Sequence, residues 1–397
     1  MKKILLGSVV FLIFVLLQQN ANAFTDSIPS PKTYRVGVFA PLYLDSVFSE
    51  TGAFKYRDGM PKLISPALDF VNGVQIALDS MQGLNDNIEI TIYDTKSYNE
   101  PLINIISNRK LDNLDLLIGS VKDADYKQLA DVALAKNIPF ISATYPNDGG
   151  VTKNPFVLVV NSTLKAHCEA IYSYLLQSHG TDKIFLCRKK GSQEDKVAAY
   201  FKSINEQDGR NLLNIQTLNF DSTISPDILK LKLDSNRQSV IIGASLEESF
   251  ALKLTTACNT LHDYYPLTLI GMPNWDAFRS FTKKGSLEDF PIYFTSPYFN
   301  TKTDSSSRQL MDAFTLKTKG KPSDVAFKGY ECARIFVKLL TLYPNDFMSH
   351  LNDKSLKVFS DYNFKPVMKK GSNVPDYFEN KHLYFMKLLN GLVMKAW

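Results

Sequence analysis

The residues that could do chemistry in this chain are short hydroxyls placed where strands end. Gly119-Ser120 closes the apolar run Leu116-Leu117-Ile118, and Ser142-Ala143-Thr144 closes Pro139-Phe140-Ile141. Between them Leu129, Val132, Ala133 and Lys136 recur at helical spacing. A strand–helix–strand unit puts both strand ends on one edge of a parallel sheet, where open α/β sheets bind ligands. Ser120, Ser142 and Thr144 are therefore expected side by side near a helix N-terminus, where free N–H groups and a partial positive charge suit an anionic ligand group. The same logic adds Tyr43 and Thr95 in the first half of the chain. In the second half it adds Ser245, Glu247, Asn274 and Trp275. The competing reading for each hydroxyl is helix capping, and for Trp275 ordinary core. Lys96 and Lys122 follow neighbouring strand ends and favour an anion, unless both are simply solvated.

The elements that must position these groups alternate. Strands are expected at Tyr34 to Leu42, Ile88 to Tyr93, Leu116 to Ile118 and Pro139 to Ile141, with helices between them. Ser65-Pro66 opens one helix as cap and first-turn proline. A second series of strands and helices runs from Phe156 to Gly271. Such alternation predicts an α/β protein with two parallel sheets flanked by helices. Tyr43 to Ile64 is a long irregular insertion. At the tail, Asn390-Gly391 between two apolar runs predicts a two-residue β-hairpin.

The expected organisation is a signal peptide over 1–23, a leader over 24–33, a first lobe of 34–150 plus 296–355, and a second of 151–295 plus 356–397. Chain crossings are placed near Tyr145–Pro155, Ile292–Ser296 and Leu356–Asn363. The signal peptide has two lysines before the apolar run Ile4 to Leu17, then Ala21-Asn22-Ala23, the pattern of a cleavage site. The run is short of the roughly 20 residues of a membrane span. The mature chain is therefore expected to be periplasmic or secreted, without stable membrane insertion.

The 397 residues are 45% hydrophobic and 21% charged, as in soluble globular proteins. The formal charge is +5; without Lys2 and Lys3, 43 basic residues face 40 acidic ones, or +3. That balance argues against a nucleic-acid partner. The cysteines Cys168, Cys187, Cys258 and Cys332 lie in apolar patterns and read as buried thiols, with Cys168 and Cys187 the pair best placed to bond. The chain has no H-E-x-x-H, G-x-S-x-G, G-x-G-x-x-G or phosphate-loop motif, and its histidines are scattered. No enzyme activity, cofactor or metal is expected.

The pieces YRVGVFAPL, DFVNGVQIALDSM, EITIYDTKS, DLLIGS, NIPFISAT, NPFVLVVNST, SVIIGAS, PLTLIGMP and VAFKGYECA, in this order and spacing, resemble the type I periplasmic binding proteins. These are the branched-chain amino-acid-binding and receptor ligand-binding group. The resemblance implies two Rossmann-like lobes joined by three hinge crossovers, closing on a small-molecule ligand that an ABC permease or a sensor receives. It carries the family's carboxylate-holding segments onto Gly119-Ser120-Val121 and Ser142-Ala143-Thr144. The second-lobe contacts fall on Ser245-Leu246-Glu247 and Met272-Pro273-Asn274-Trp275. Amino-acid binders commonly have an acid after the strand matching LIGMP; here Asn274-Trp275 stand there, with Asp276 one step later. The expected function is capture of a small polar ligand, amino-acid-like or carboxylate-bearing. The alternative is a non-transport sensor or interaction module on the same fold, docking a protein or cell-wall partner.

Overall fold

The computed structural model describes residues 32–57, 59–81, 87–207, 209–221, 223–282 and 290–396. The signal peptide and most of the leader fall outside the described residues. Two seven-stranded sheets form the molecule, plus a small ribbon of β7 (Glu206–Gln207) and β8 (Arg210–Asn211). The first sheet contains β1 (Tyr34–Ala40), β2 (Ile88–Asp94), β3 (Leu116–Gly119), β4 (Phe140–Ser142), β5 (Val157–Val159), β13 (Phe364–Val367) and β14 (Tyr377–Asn380). Its order is β13-β14-β5-β4-β3-β1-β2, parallel except for edge strand β13. The second contains β6 (Lys183–Lys189), β9 (Ile215–Phe220), β10 (Ser239–Gly243), β11 (Leu267–Ile270), β12 (Ile292–Ser296), β15 (Tyr384–Leu389) and β16 (Leu392–Lys395). Its order is β16-β15-β12-β11-β10-β6-β9, with β15 and β16 forming the antiparallel edge. Two parallel-dominated, helix-flanked sheets are the α/β architecture that the sequence pattern predicts.

The central strands are continuous apolar runs because helices cover both faces. Val36, Val38, Phe39 and Ala40 are fully buried, as are Leu116 to Ile118 and Val240 to Ile242. In the first lobe, helix Ser65–Asp79 lies against helix Asp324–Leu342. A Cβ on Gly73 would stand 2.0 Å from the Ala326 carbonyl oxygen, and one on Gly329 2.2 Å from that of Phe70. Only glycine lets these two backbones touch.

Two expected boundaries are corrected. β5 pairs with β4, so it belongs to the first sheet, and the chain crosses after Val160 rather than near Tyr145–Pro155. The Gly149-Gly150 turn, with φ of 58° and 75°, redirects the chain; a turn signal does not say to which sheet a chain returns. Likewise β13 and β14 complete the first sheet, so the third crossing is at 381–383 and not at Leu356–Asn363. Buried Asp376, Glu379 and Asn380 disguise this segment as a loop in the sequence. The second crossing follows β12, close to its expected place. The insertion after Leu42 holds a short helix, Leu44–Val47, and a Phe48–Phe54 bridge. Asn390 and Gly391, at φ 51° and 75°, form the expected tight turn, with Leu389 opposite Leu392.

Candidate functional site

The strand ends of the first lobe meet as the topology requires. Gly119 is in register with Ser142, and Ser142 with Val159. The ladder continues past the strands, through Ser120 N–H to Phe39, Ala143 N–H to Gly119 and Val160 N–H to Ser142. The Ser120 and Thr144 hydroxyls lie 3.0 Å apart. Ser142 is fully buried, and among the described residues its hydroxyl has no partner; the same holds for the buried Thr95 hydroxyl. Tyr43 stands apart from them. Its N–H donates to Asp94 Oδ1 (3.1 Å), and its left-handed φ of 54° starts the short helix. The N-terminus of helix Asp123–Lys136 carries its own acids in the first turn, Asp123 and Asp125. Asp125 pairs with Lys96 at 2.9 Å, so this edge is balanced in charge rather than positive.

In the second lobe the corresponding groups bond within the lobe, apart from the buried Asn274 Oδ1, which has no partner among the described residues. The Ser245 hydroxyl donates to buried Glu194 (2.6 Å). Glu247 is ion-paired with Lys189. Asn274 donates to the Leu246 carbonyl (2.9 Å). Trp275 is fully buried, and its indole N–H donates to the Ser245 carbonyl (2.9 Å). Its ring occupies the space that side chains on Gly243 and Gly271 would need. Trp275 is thus core, and the expectation of a cleft aromatic is corrected. The 3-10 turn Trp275–Ala277 sends the indole inward and leaves Asp276 at the cavity between the lobes.

That cavity, about 480 Å³, lies beside the crossings. Asn161, Ser162, His167, Thr295 and Tyr298 line it around the first two crossings. Asn274 and Asp276 line it from the second lobe, and Lys328, on helix Asp324–Leu342, from the first. Of the residues singled out in sequence, Asn274 is in this lining, together with Leu246 and Pro273 of the carried-over segments and Asp276. The serine–threonine edge stands directly behind it: Asn161 Nδ2 donates to the Thr144 carbonyl (2.7 Å), and the Tyr298 hydroxyl to the Ala143 carbonyl (2.7 Å). His167 Nδ1 is 2.7 Å from Thr295 Oγ1, and burial pushes its pKa down to about 3, so the ring is neutral. Lys328 rests on the Tyr298 ring, Nζ 4.0 Å from the centroid. It is open to the cavity but enclosed by protein, and that desolvation lowers its pKa against the pull of Asp324 and Asp276. Burial raises the Asp276 carboxyl in turn, with Lys328 opposing. Neither Asp276 nor Lys328 takes part in an ion pair among the described residues. Sequence reasoning named Asp276 only as an acid one step past the expected place, and it missed Lys328. The signal for Lys328 was a lone cation inside the apolar helix pattern VAFKGYECA.

Two lobes facing each other at their strand ends, with a polar cavity at the hinge, define a solute-binding architecture. The chain belongs to the periplasmic binding protein family, whose profile matches residues 63–346. Among solved structures it is similar to LivJ, the branched-chain amino acid transporter substrate-binding protein from Streptococcus pneumoniae in complex with isoleucine. Identity there is 15%, over 91% of this chain and 98% of that one, with a TM-score of 0.52. It is also similar to an ABC transporter substrate-binding protein from Desulfitobacterium hafniense (12% identity, 92% and 100% covered, TM-score 0.56). A third is a branched-chain amino acid ABC transporter periplasmic ligand-binding protein from Burkholderia xenovorans (13%, 88% and 95%, 0.54). No curated protein matches. The family and these neighbours are solute-binding proteins rather than enzymes. Among the described residues, no helix is long and apolar enough to cross a membrane.

Proposed function

We propose that this protein captures a small, amino-acid-like or carboxylate-bearing ligand between its lobes in the periplasm and presents it to an ABC permease or a sensor. One observation carries the reading: Asp276 and Lys328 reach a single cavity from opposite lobes, each without an ion-pair partner among the described residues. A ligand with groups of both signs satisfies both, and so favours the closed arrangement of the lobes. The cavity volume suits a small organic molecule. Ser120, Ser142 and Thr144, with Thr95 beyond them, are the first lobe's reserve of hydrogen-bonding groups for the closed state. Ser245 and Glu247 hold the second lobe's edge in shape. The isoleucine and leucine complexes of structural neighbours support an amino-acid-like ligand.

Thermal-shift screening of amino acids and small carboxylates, followed by calorimetry, tests this. A ligand should raise the melting temperature by mass action. Asp276→Asn should weaken a ligand bearing an ammonium group by about 1.5–3 kcal/mol, the worth of a charged hydrogen bond. Without ligand the sign reverses. Burial raises the Asp276 carboxyl, so the folded state disfavours its charge above that raised pKa, and the amide variant should be more stable at neutral pH. Failure of every compound to bind refutes the reading.

A further inference from the structure

We propose that Lys328 is a nucleophilic amine that forms an imine with a small aldehyde entering the cavity between the lobes, and that Asp276 carries the proton. Such chemistry goes beyond ligand capture and does not depend on it. Lys328 is half-buried and lines the cavity of about 480 Å³. It also lines a second cavity of about 290 Å³, which shares Asp276, Ser296 and Tyr298 with the first. An ammonium held charged inside a protein needs an acid or several acceptors beside it. Among the described residues, the Lys328 side chain makes no ion pair and no hydrogen bond.

The polar groups around it are committed elsewhere. Asp324 is held by Lys302 at 2.7 Å. Glu331 accepts from Phe359 N–H (2.9 Å), Ser360 N–H (2.5 Å) and the Tyr362 hydroxyl (2.7 Å). Asn300 donates to Ser307 Oγ (3.0 Å) and accepts the Lys302 N–H (2.7 Å). What remains for Lys328 is the Tyr298 ring, which fixes where the amine sits because the Tyr298 hydroxyl is tied to the Ala143 carbonyl. A ring face favours the charged amine. Enclosure by protein outweighs it, together with the pull of Asp324, Asp276 and Glu331, and leaves the amine more readily neutral than on an exposed lysine. Asp276 is shifted the opposite way, toward the protonated acid. Two groups pushed apart in this sense are suited to act as nucleophile and proton carrier. The Lys328 lone pair attacks the aldehyde carbon, a C–N bond forms, and the carbonyl π pair moves to oxygen. Asp276 gives that oxygen a proton and takes one from nitrogen, which leaves a carbinolamine. It then protonates the hydroxyl, the C–O bond breaks, water leaves, and the nitrogen pair closes the C=N bond. The last N–H proton returns to Asp276, so amine and aldehyde become imine and water with no change of oxidation state.

The test is reductive trapping: the protein is incubated with acetaldehyde and cyanoborohydride, and alkylated lysines are mapped by mass spectrometry against time. At neutral pH Lys328 should be trapped several-fold faster than the exposed Lys230 and Lys370. Near about pH 11, where ordinary lysines are neutral as well, that preference should disappear. Asp276→Asn separates two roles by sign. If Asp276 acts only through its charge, its loss frees the amine of a proton and speeds trapping at Lys328. If it carries the proton, its loss slows trapping there and leaves Lys230 and Lys370 unchanged. Trapping at Lys328 no faster than at the exposed lysines overturns the inference, as does a preference that persists at high pH, which access alone would explain. Faster or unchanged trapping in Asp276→Asn removes Asp276 from the reaction. The ligand screen is read separately: a screen without a binder refutes the proposed function and leaves the trapping result standing, and the reverse holds equally.

Discussion

The two strand edges that face the cleft are built from similar residue types and end in opposite conditions. On the first lobe the hydroxyls of Ser142 and Thr95 are buried without partners, and Ser120 and Thr144 have only each other as side-chain partners. On the second lobe Ser245, Glu247, Asn274 and Trp275 all donate or accept within the lobe, to Glu194, Lys189 and the backbone at Ser245 and Leu246, and Asn274 Oδ1 alone of this set is buried without a partner among the described residues. A buried polar group with no partner carries a cost that a ligand or water can remove. Groups already bonded offer a ligand little. The first lobe thus holds more of its hydrogen-bonding capacity in reserve, while the second rigidifies its edge and offers Asp276 and the Asn274 carbonyl oxygen.

The largest expected effect tests the second lobe. Trp275→Ala should destabilise that lobe by about 3–5 kcal/mol, as for other buried large-to-alanine changes. It empties the space between Gly243 and Gly271 and leaves the Ser245 carbonyl without its indole donor. Denaturant unfolding followed by second-lobe probes checks this. If Trp275→Ala unfolds like the parent and loses only ligand affinity, the indole belongs to the cleft and the contrast between the edges is wrong.

His167 gives the next effect, and its sign can be worked out. Burial lowers its folded pKa to about 3, below the usual His value near 6.5. Between those values the unfolded chain binds more protons, so stability rises with pH over this window and is flat above it. The contribution is lost as pH falls from about 6.5 toward 3, and amounts to a few kcal/mol when complete. Subtracting the pH–stability curve of His167→Gln from that of the parent should isolate this slope. Parallel curves would mean that the ring is exposed and the hinge loosely packed.

Much of this was legible in the sequence because periodicity reports burial. The apolar runs of β1, β3 and β10 and the Asn390-Gly391 turn can be read directly, since each rests on local chemistry. Sheet membership cannot. β5 and β14 carry nothing that says which sheet they join, and Glu379 is buried because its carboxylate accepts the Thr163 N–H, a contact 216 residues away in sequence. The same limit applied to the site. Ser120 and Thr144 were found from strand ends, and they do meet. Asp276 was noted only as an acid one step past the expected place, because which of two adjacent residues faces the cleft depends on a 3-10 turn that no periodicity announces. Lys328 lay on a helix remote in sequence from every strand end.

The smallest effects discriminate most sharply, because they set the same substitution at matching places on the two edges. Ser245→Ala removes the donor to Glu194, a side chain buried to 3% exposure, and should cost about 1–3 kcal/mol by leaving that carboxylate short of a partner. Ser142→Ala removes a hydroxyl that has no partner among the described residues. Its methyl remains in place, so the expected change is within about 0.5 kcal/mol of the parent, or slightly stabilising. Thr95→Val, which replaces an unpartnered buried hydroxyl with a methyl of similar size, should behave as Ser142→Ala does. Chemical denaturation of the three variants without ligand measures all of this. A loss at Ser142 equal to that at Ser245 would show that its hydroxyl is already bonded in solution, and the first lobe would then hold no reserve. With a ligand in hand the order should invert. If the first lobe's free hydroxyls serve the closed state, Ser142→Ala and Thr95→Val should lose affinity by about 0.5–1.5 kcal/mol each, and Ser245→Ala should lose it only as far as the edge it supports relaxes.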